Sequence, residues 1–297
     1  MNLTQYRKYQ DEIERCRRIY KDFDKAAPVI EAIFKGISDF FMKNPPEVVA
    51  LEEQDKLEDQ IREGMSLKYD LAIKTEDFVE LLSNLSKIME KYSPGLQPNM
   101  VILREILERF LSESQDRIYK NELNLLHDML INETVLEKDL ATFLFSVTQS
   151  SFHRQHLNSI SKVLRTDLWE GGECPLCGEK PHFGILRTED GAKELECWLC
   201  GTSWVHARIK CPFCSNEEQK ELGYFTTEES EKCRVNFCKK CCHYYKIFDA
   251  RKFNVDGSLV LTIHNLATLD YDLLAKKEGF NPGSGLEWIN DSEVVDR

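Results

Sequence analysis

Along the first half of the chain, apolar residues recur every three or four positions. Ile30, Ile33, Phe34, Ile37 and Phe41 make one stripe and Phe78, Leu81, Leu82, Leu85 and Met89 another, each backed by charged residues. A period near 3.6 places such a stripe on one face of an α-helix, and its simplest use is as core. Prolines divide the stripes: Pro45-Pro46 and the run 93–98, which holds Pro94 and Pro98, disfavour helix in the residue before each proline. Thr134 followed by Glu137 has capping-box spacing and predicts a helix running towards Leu168. Residues 1–168 are therefore expected to form a helical bundle.

Beyond Gly171-Gly172 the period shortens towards two. The stretch Ser203–Ile209 alternates Trp204, His206 and Arg208 on one face with Val205, Ala207 and Ile209 on the other, which predicts a strand. Further on, Asp256-Gly257 sits between apolar runs and predicts a hairpin, and residues 266–280 predict a helix stopped by Gly279. The tail from Asn281 to Arg297 is expected to be irregular.

This change of pattern coincides with a change of composition. Ten of the eleven cysteines lie between Cys174 and Cys242, and eight of them form four Cys-x-x-Cys pairs: Cys174/Cys177, Cys197/Cys200, Cys211/Cys214 and Cys238/Cys241. A chain of 297 residues can build a core without disulfide staples. The N-terminus has no export signal and no window is apolar enough for a membrane span, so a reducing cytoplasmic setting without membrane insertion is expected, where thiolates bind metal. Paired thiolates on two tight turns can close one tetrahedral site. The gaps of 19 residues (Cys177 to Cys197) and 23 residues (Cys214 to Cys238) favour a sequential division, 174/177 with 197/200 and 211/214 with 238/241. A crossed division, with the first and third pairs sharing an ion, stays open. Four thiolates suit zinc and iron equally. Cys16, Cys233 and Cys242, with His182, His206 and His243, are left outside the ligand set. Cys242 stands where a knuckle favours glycine.

Charge and motifs exclude other classes. The net charge is −12, and residues 171–250 hold 11 Lys and Arg against 13 Asp and Glu, to which two loaded four-cysteine sites would add further negative charge. Such a segment is a poor partner for phosphate, so a nucleic-acid-binding zinc ribbon is disfavoured. No phosphate-cradling loop, H-E-x-x-H or G-x-S-x-G motif occurs.

With these residues in view, the chain resembles the formate dehydrogenase accessory (FdhE) protein family. The resemblance rests on CPLCG, CWLCGTSWVHARIKCPFC, FCKKCCHYYKIF and LATLDYDLLAKKEGFNP, within residues 172–282. It implies a cytoplasmic, non-enzymatic accessory factor that binds the immature catalytic subunit of formate dehydrogenase. It also implies two metal ions per chain in rubredoxin-like modules, iron natively and zinc as an alternative filling, held by the eight paired cysteines. Trp204, Arg208, Tyr245 and Lys246 lie in the matching runs and are candidates for a partner interface. The expected fold is α+β: a helical domain (1–168), two tandem rubredoxin-like or zinc-ribbon metal modules (169–209 and 210–252), and a C-terminal hairpin, short helix and tail (253–297). A rubredoxin-like electron carrier or redox sensor is the alternative function, and a homo-oligomer is compatible with the sequence.

Overall fold

The computed structural model describes residues 3–47, 54–133, 138–227, 230–253 and 259–283. Seven helices come first: α1 (Leu3–Ile19), α2 (Phe23–Lys43), α3 (Gln54–Arg62), α4 (Thr75–Tyr92), α5 (Gln97–Glu113), α6 (Lys120–Glu133) and α7 (Lys138–Val163). Two short strands, β1 (Ile73–Lys74) and β2 (Arg117–Ile118), pair antiparallel at one end of α4 and α5. Both apolar stripes are buried, the first on α2 and the second on α4. The two helices cross closely: a β-carbon on Gly36 would lie 2.7 Å from Ile88 Cδ1. Phe40, Phe41, Phe78, Phe145 and Phe152 form an edge-to-face and stacked aromatic cluster between α2, α4 and α7, an arrangement favoured by the ring quadrupoles. The Thr134/Glu137 capping pair lies outside the described residues.

The second half is built from β3 (Phe183–Leu186), β4 (Lys193–Glu196), β5 (Ser203–Val205), β6 (Leu222–Thr227), β7 (Ser230–Cys238) and β8 (His243–Asp249), followed by α8 (Leu261–Leu266), α9 (Leu269–Lys277) and β9 (Asn281–Pro282). The strands β3, β4 and β5 make one antiparallel meander, and β6, β7 and β8 a second. Parallel pairing of β3 with β8, Phe183 opposite Lys246, fuses the two into one sheet of order β5-β4-β3-β8-β7-β6, and β9 also joins β8. The two cysteine-bearing modules thus share a sheet that crosses the boundary expected between them.

Two local expectations are corrected. The strand predicted over Ser203–Ile209 ends at Val205, because the chain then turns into the next knuckle; Trp204 and His206 are buried, while Arg208 is exposed and donates from Nη2 to Gly191 O. In the predicted hairpin, Asp256-Gly257 lies outside the described residues, and the intended second strand is the helix α8, whose Leu261, Ile263 and His264 face inward.

Candidate metal centres

Each Cys-x-x-Cys pair occupies one tight turn of the same construction. The residue after the second cysteine donates its N–H to the carbonyl of the first: Gly178 to Cys174 (2.9 Å), Gly201 to Cys197 (3.0 Å), Ser215 to Cys211 (3.0 Å) and Cys242 to Cys238 (2.9 Å). All four donors have positive φ, between 57° and 79°. Glycine adopts that conformation freely and other residues reluctantly. Cys242 therefore completes an ordinary knuckle in place of glycine, and Ser215 does the same in the third.

The eight sulfurs fall into two groups, Cys174, Cys177, Cys197 and Cys200 in one and Cys211, Cys214, Cys238 and Cys241 in the other, with the ligand atoms of each within 4.8 Å of one another. The grouping is the sequential one. In the first group Sγ–Sγ separations are 3.5 Å (Cys174–Cys200) and 3.4 Å (Cys177–Cys197), and in the second 3.7 Å (Cys211–Cys241) and 3.8 Å (Cys214–Cys238). A tetrahedral ion with metal–sulfur bonds of about 2.3 Å needs sulfur–sulfur edges of about 3.8 Å, so both groups could hold a metal ion. Burial pushes the Cys197 thiol well above its ordinary range, and the adjacent sulfurs push it further. Four thiolates this close repel one another unless a cation neutralises them, which is why metal binding in such a cage is coupled to folding.

In the second group backbone N–H groups offset part of the cost of burying thiolates. The N–H groups of Phe213 and Cys214 stabilise ionised Cys211, though burial still pushes that thiol up to about 11. Lys240 and Cys241 serve Cys238 in the same way, and Asn216 Nδ2 lies 3.7 Å from its sulfur. Lys193 is buried near the second group, its Nζ 3.0 Å from Tyr245 Oη and 3.3 Å from Lys210 O. Burial drives that ammonium down to about 7, while the Cys211 sulfur opposes the shift.

The helical half grips the first group. Ser66 Oγ donates to Cys174 O (2.8 Å), and the N–H groups of Leu67 and Tyr69 donate to Pro175 O and Leu176 O (2.8 and 2.9 Å). From α7, Arg154 donates to Glu196 Oε1 through both Nη atoms (3.0 Å each) and to the carbonyls of Cys197 and Trp198 (3.1 Å each). All four cysteines of this group belong to the apolar core that also contains the α2 and α4 stripes and Phe145 and Phe152 of α7. None of these helical partners is marked locally in the sequence, since Arg154 looks like any other arginine on a helix of mixed polarity.

Other candidates separate from the sulfur groups. His182 stacks on Trp198, His243 packs on Phe213 and donates from Nδ1 to Cys241 O, and His206 is buried. Cys233 is buried in the second, smaller core, and Cys242 is exposed. Of the four residues expected at a partner interface, three are interior. Trp204 donates from Nε1 to Gly171 O, Tyr245 is buried against Lys193, and Lys246 Nζ is bound by Asp272 (2.6 Å) and the carbonyls of Asn265 and Thr268. Only Arg208 of the four reaches solvent; the runs that hold the other three supply strands β5 and β8, where Trp204, Tyr245 and Lys246 are buried.

One cluster had no sequence signal. His264 of α8 meets Glu12 through Nε2 (2.6 Å) and Tyr20 Oη and Cys16 Sγ through Nδ1 (3.0 and 3.5 Å), all buried. It joins the first helix to the C-terminal part across 252 residues of sequence.

Comparison with known proteins agrees with this geometry. Residues 173–208, the first module, match the family described as "FdhE, central domain". A protein named "Protein FdhE homolog" from Aquifex aeolicus (strain VF5) is 31% identical over 199 residues, covering 64% of this chain and 68% of the relative. A homologue from Enterobacter sp. (strain 638) is 31% identical over 150 residues, 49% of this chain and 47% of that protein, so the match spans about half of that relative's length. The crystal structure of the FdhE protein from Pseudomonas aeruginosa shares the fold with a TM-score of 0.58 at 20% identity, covering 91% of both chains. With its two cysteine cages on one sheet and this extent of similarity to named relatives, the chain belongs to the FdhE family.

Proposed function

We propose that this protein is a cytoplasmic accessory factor for the assembly or maturation of formate dehydrogenase, that it is not itself an enzyme, and that it binds the immature catalytic subunit. The observation that carries this reading is membership of the FdhE family by a chain whose eight paired cysteines form two cages of tetrahedral dimensions. In this reading the eight cysteines hold two metal ions, iron natively, with zinc also accepted by the same sulfurs. Metal in the first cage would lock the knuckles that Arg154 and the 66–69 segment grip, so loading and the shape of the surface between helical and metal-binding halves are linked. The test is co-purification from cells that make formate dehydrogenase. The catalytic subunit should be recovered with the tagged protein, and deletion of the factor should lower formate dehydrogenase activity. No recovery, together with full activity in the deletion strain, would refute the proposal.

A redox-sensing role is favoured by one feature, the partial exposure of Cys214 and Cys241 in the second cage. A red, bleachable absorption with two irons per chain in anaerobically purified protein would support it. Colourless protein with two zincs would leave the cages as structural staples.

A further inference from the structure

Besides the two cages, a third group of metal-ligating side chains lies close together among the described residues. It consists of Glu12, Cys16 and His264, whose candidate ligand atoms all fall within 4.8 Å of one another. Glu12 and Cys16 on α1, and Tyr20 one turn beyond, recur every four residues, so a single helix face presents all three to His264 of α8. All four side chains are buried. The rings of Phe248 and Phe253, centred 5.5 and 4.8 Å from the imidazole, wall the group with apolar surface.

The two imidazole nitrogens have different surroundings. Nε2 meets Glu12 Oε1 at 2.6 Å, and the two carboxylate oxygens also accept from Arg15 Nη1 at 3.0 and 2.9 Å. Glu12 is thereby engaged on both oxygens, and the nitrogen facing it carries the ring proton. Nδ1 of the neutral ring then has one lone pair, yet both Tyr20 Oη (3.0 Å) and Cys16 Sγ (3.5 Å) lie against it. Only one of these two can donate there, whereas a cation accepts a lone pair from all three atoms.

Size and charge agree with a cation. Bonds of about 2.05 Å to nitrogen and about 2.3 Å to sulfur in a tetrahedron set a nitrogen–sulfur edge of about 3.6 Å, against 3.5 Å here. A carboxylate on the far nitrogen of a ligating imidazole is the common support of a zinc-bound histidine. A dication that displaces the thiol and phenol protons releases two protons for its two charges, so the net buried charge is unchanged.

We propose that Cys16 Sγ, His264 Nδ1 and Tyr20 Oη form a third metal site, for a thiophilic divalent cation of the zinc class, with Glu12 orienting the imidazole. Thiolate with imidazole selects zinc over magnesium or calcium. Tyr20 also lines a cleft of about 470 Å³, which gives the ion a route in and a fourth ligand, water, a place to approach from. An ion here clasps the first helix to α8. The site stands apart from the accessory function and from the filling of the two cages.

The test loads the full-length protein with excess zinc, removes unbound metal by gel filtration and counts zinc per chain by elemental analysis. Cys16→Ala and His264→Gln should each hold one equivalent less than wild type, whatever the cages contain. Glu12→Gln keeps the three ligands and should weaken one zinc by about 10–100-fold in competition with a chelator. If the first two variants fail to fold, Tyr20→Phe, which removes a single oxygen, decides the matter: one zinc should be held about tenfold or more weakly. A cluster held by hydrogen bonds alone would lower the melting temperature of these variants and leave zinc content and affinity unchanged in every folded one. That result would overturn the site while leaving the cages and the accessory function standing.

Discussion

The two sulfur cages are built alike and situated differently. Both have Cys-x-x-Cys turns closed by the same N–H to carbonyl bond, and both have sulfur spacings of tetrahedral size. The first, however, is wholly buried in the core it shares with the bundle, and its knuckle carbonyls are bound by Ser66, Leu67, Tyr69 and Arg154. The second lies outside both apolar cores, with Cys214 and Cys241 partly exposed. Identical local chemistry can thus serve as a structural joint in one place and an accessible centre in another, because surroundings decide what the removal of an ion disturbs.

The sharpest break of this comparison is to empty each cage in turn. Cys174→Ser with Cys177→Ser should remove one metal per chain and disorganise both the module and the helical faces packed on it, since the binding free energy of a structural site is folding free energy. Cys211→Ser with Cys214→Ser should also remove one metal but leave the helical circular dichroism and its melting transition largely intact. Elemental analysis and thermal denaturation distinguish the two, and equal damage from both would mean that the first cage is no more a joint than the second.

Next in size is Arg154→Ala. It leaves Glu196 without its partner and two knuckle carbonyls without a donor, and loss of one member of a largely buried pair costs about 3 kcal/mol. Chemical denaturation should register that loss, and Arg154→Lys should recover only part of it, because an ammonium cannot span the carboxylate and both carbonyls.

Metal release to a chromogenic chelator should be biphasic, one equivalent leaving about tenfold or more faster than the other. Exposure of Cys214 and Cys241 gives the competing ligand access to the second cage. The fast phase should vanish in the Cys211/Cys214 double variant. A single phase would erase the kinetic distinction between the cages.

The smallest effect concerns the fourth knuckle. Cys242 holds φ 57°, a conformation that strains a residue with a β-carbon, so Cys242→Gly should stabilise the protein by about 0.5 kcal/mol. Its mirror, Gly201→Ala at φ 75°, should destabilise by at least as much, since the new methyl would also meet Arg154 Nη1 at 2.9 Å. Denaturation midpoints measure both.

Much of this organisation was legible in the chain. The stripes on α2 and α4 became core as their period required, because helix amphipathicity is set by side chains three and four residues apart. The failures share a cause. Trp204, Tyr245 and Lys246 are singled out by the family-like runs that hold them and by aromatic or basic character, which does not separate an interface from a buried sheet. The apolar run 258–263 beyond Asp256-Gly257 suits a strand or a helix equally, and burial of Leu261, Ile263 and His264 goes with the helix α8 (Leu261–Leu266).

By itself the sequence determined the four knuckles, the identity of the eight sulfurs and the helical character of the first half. These depend on residues close in sequence, whose spacing dictates local backbone geometry. Only the tertiary structure decided that the modules share a sheet through β3 and β8, that Arg154 clamps the first cage from 42 residues away, and that Glu12 meets His264 across 252. Such pairings carry no local signature, because they arise where separately formed faces bury each other and each buried polar group must find a partner.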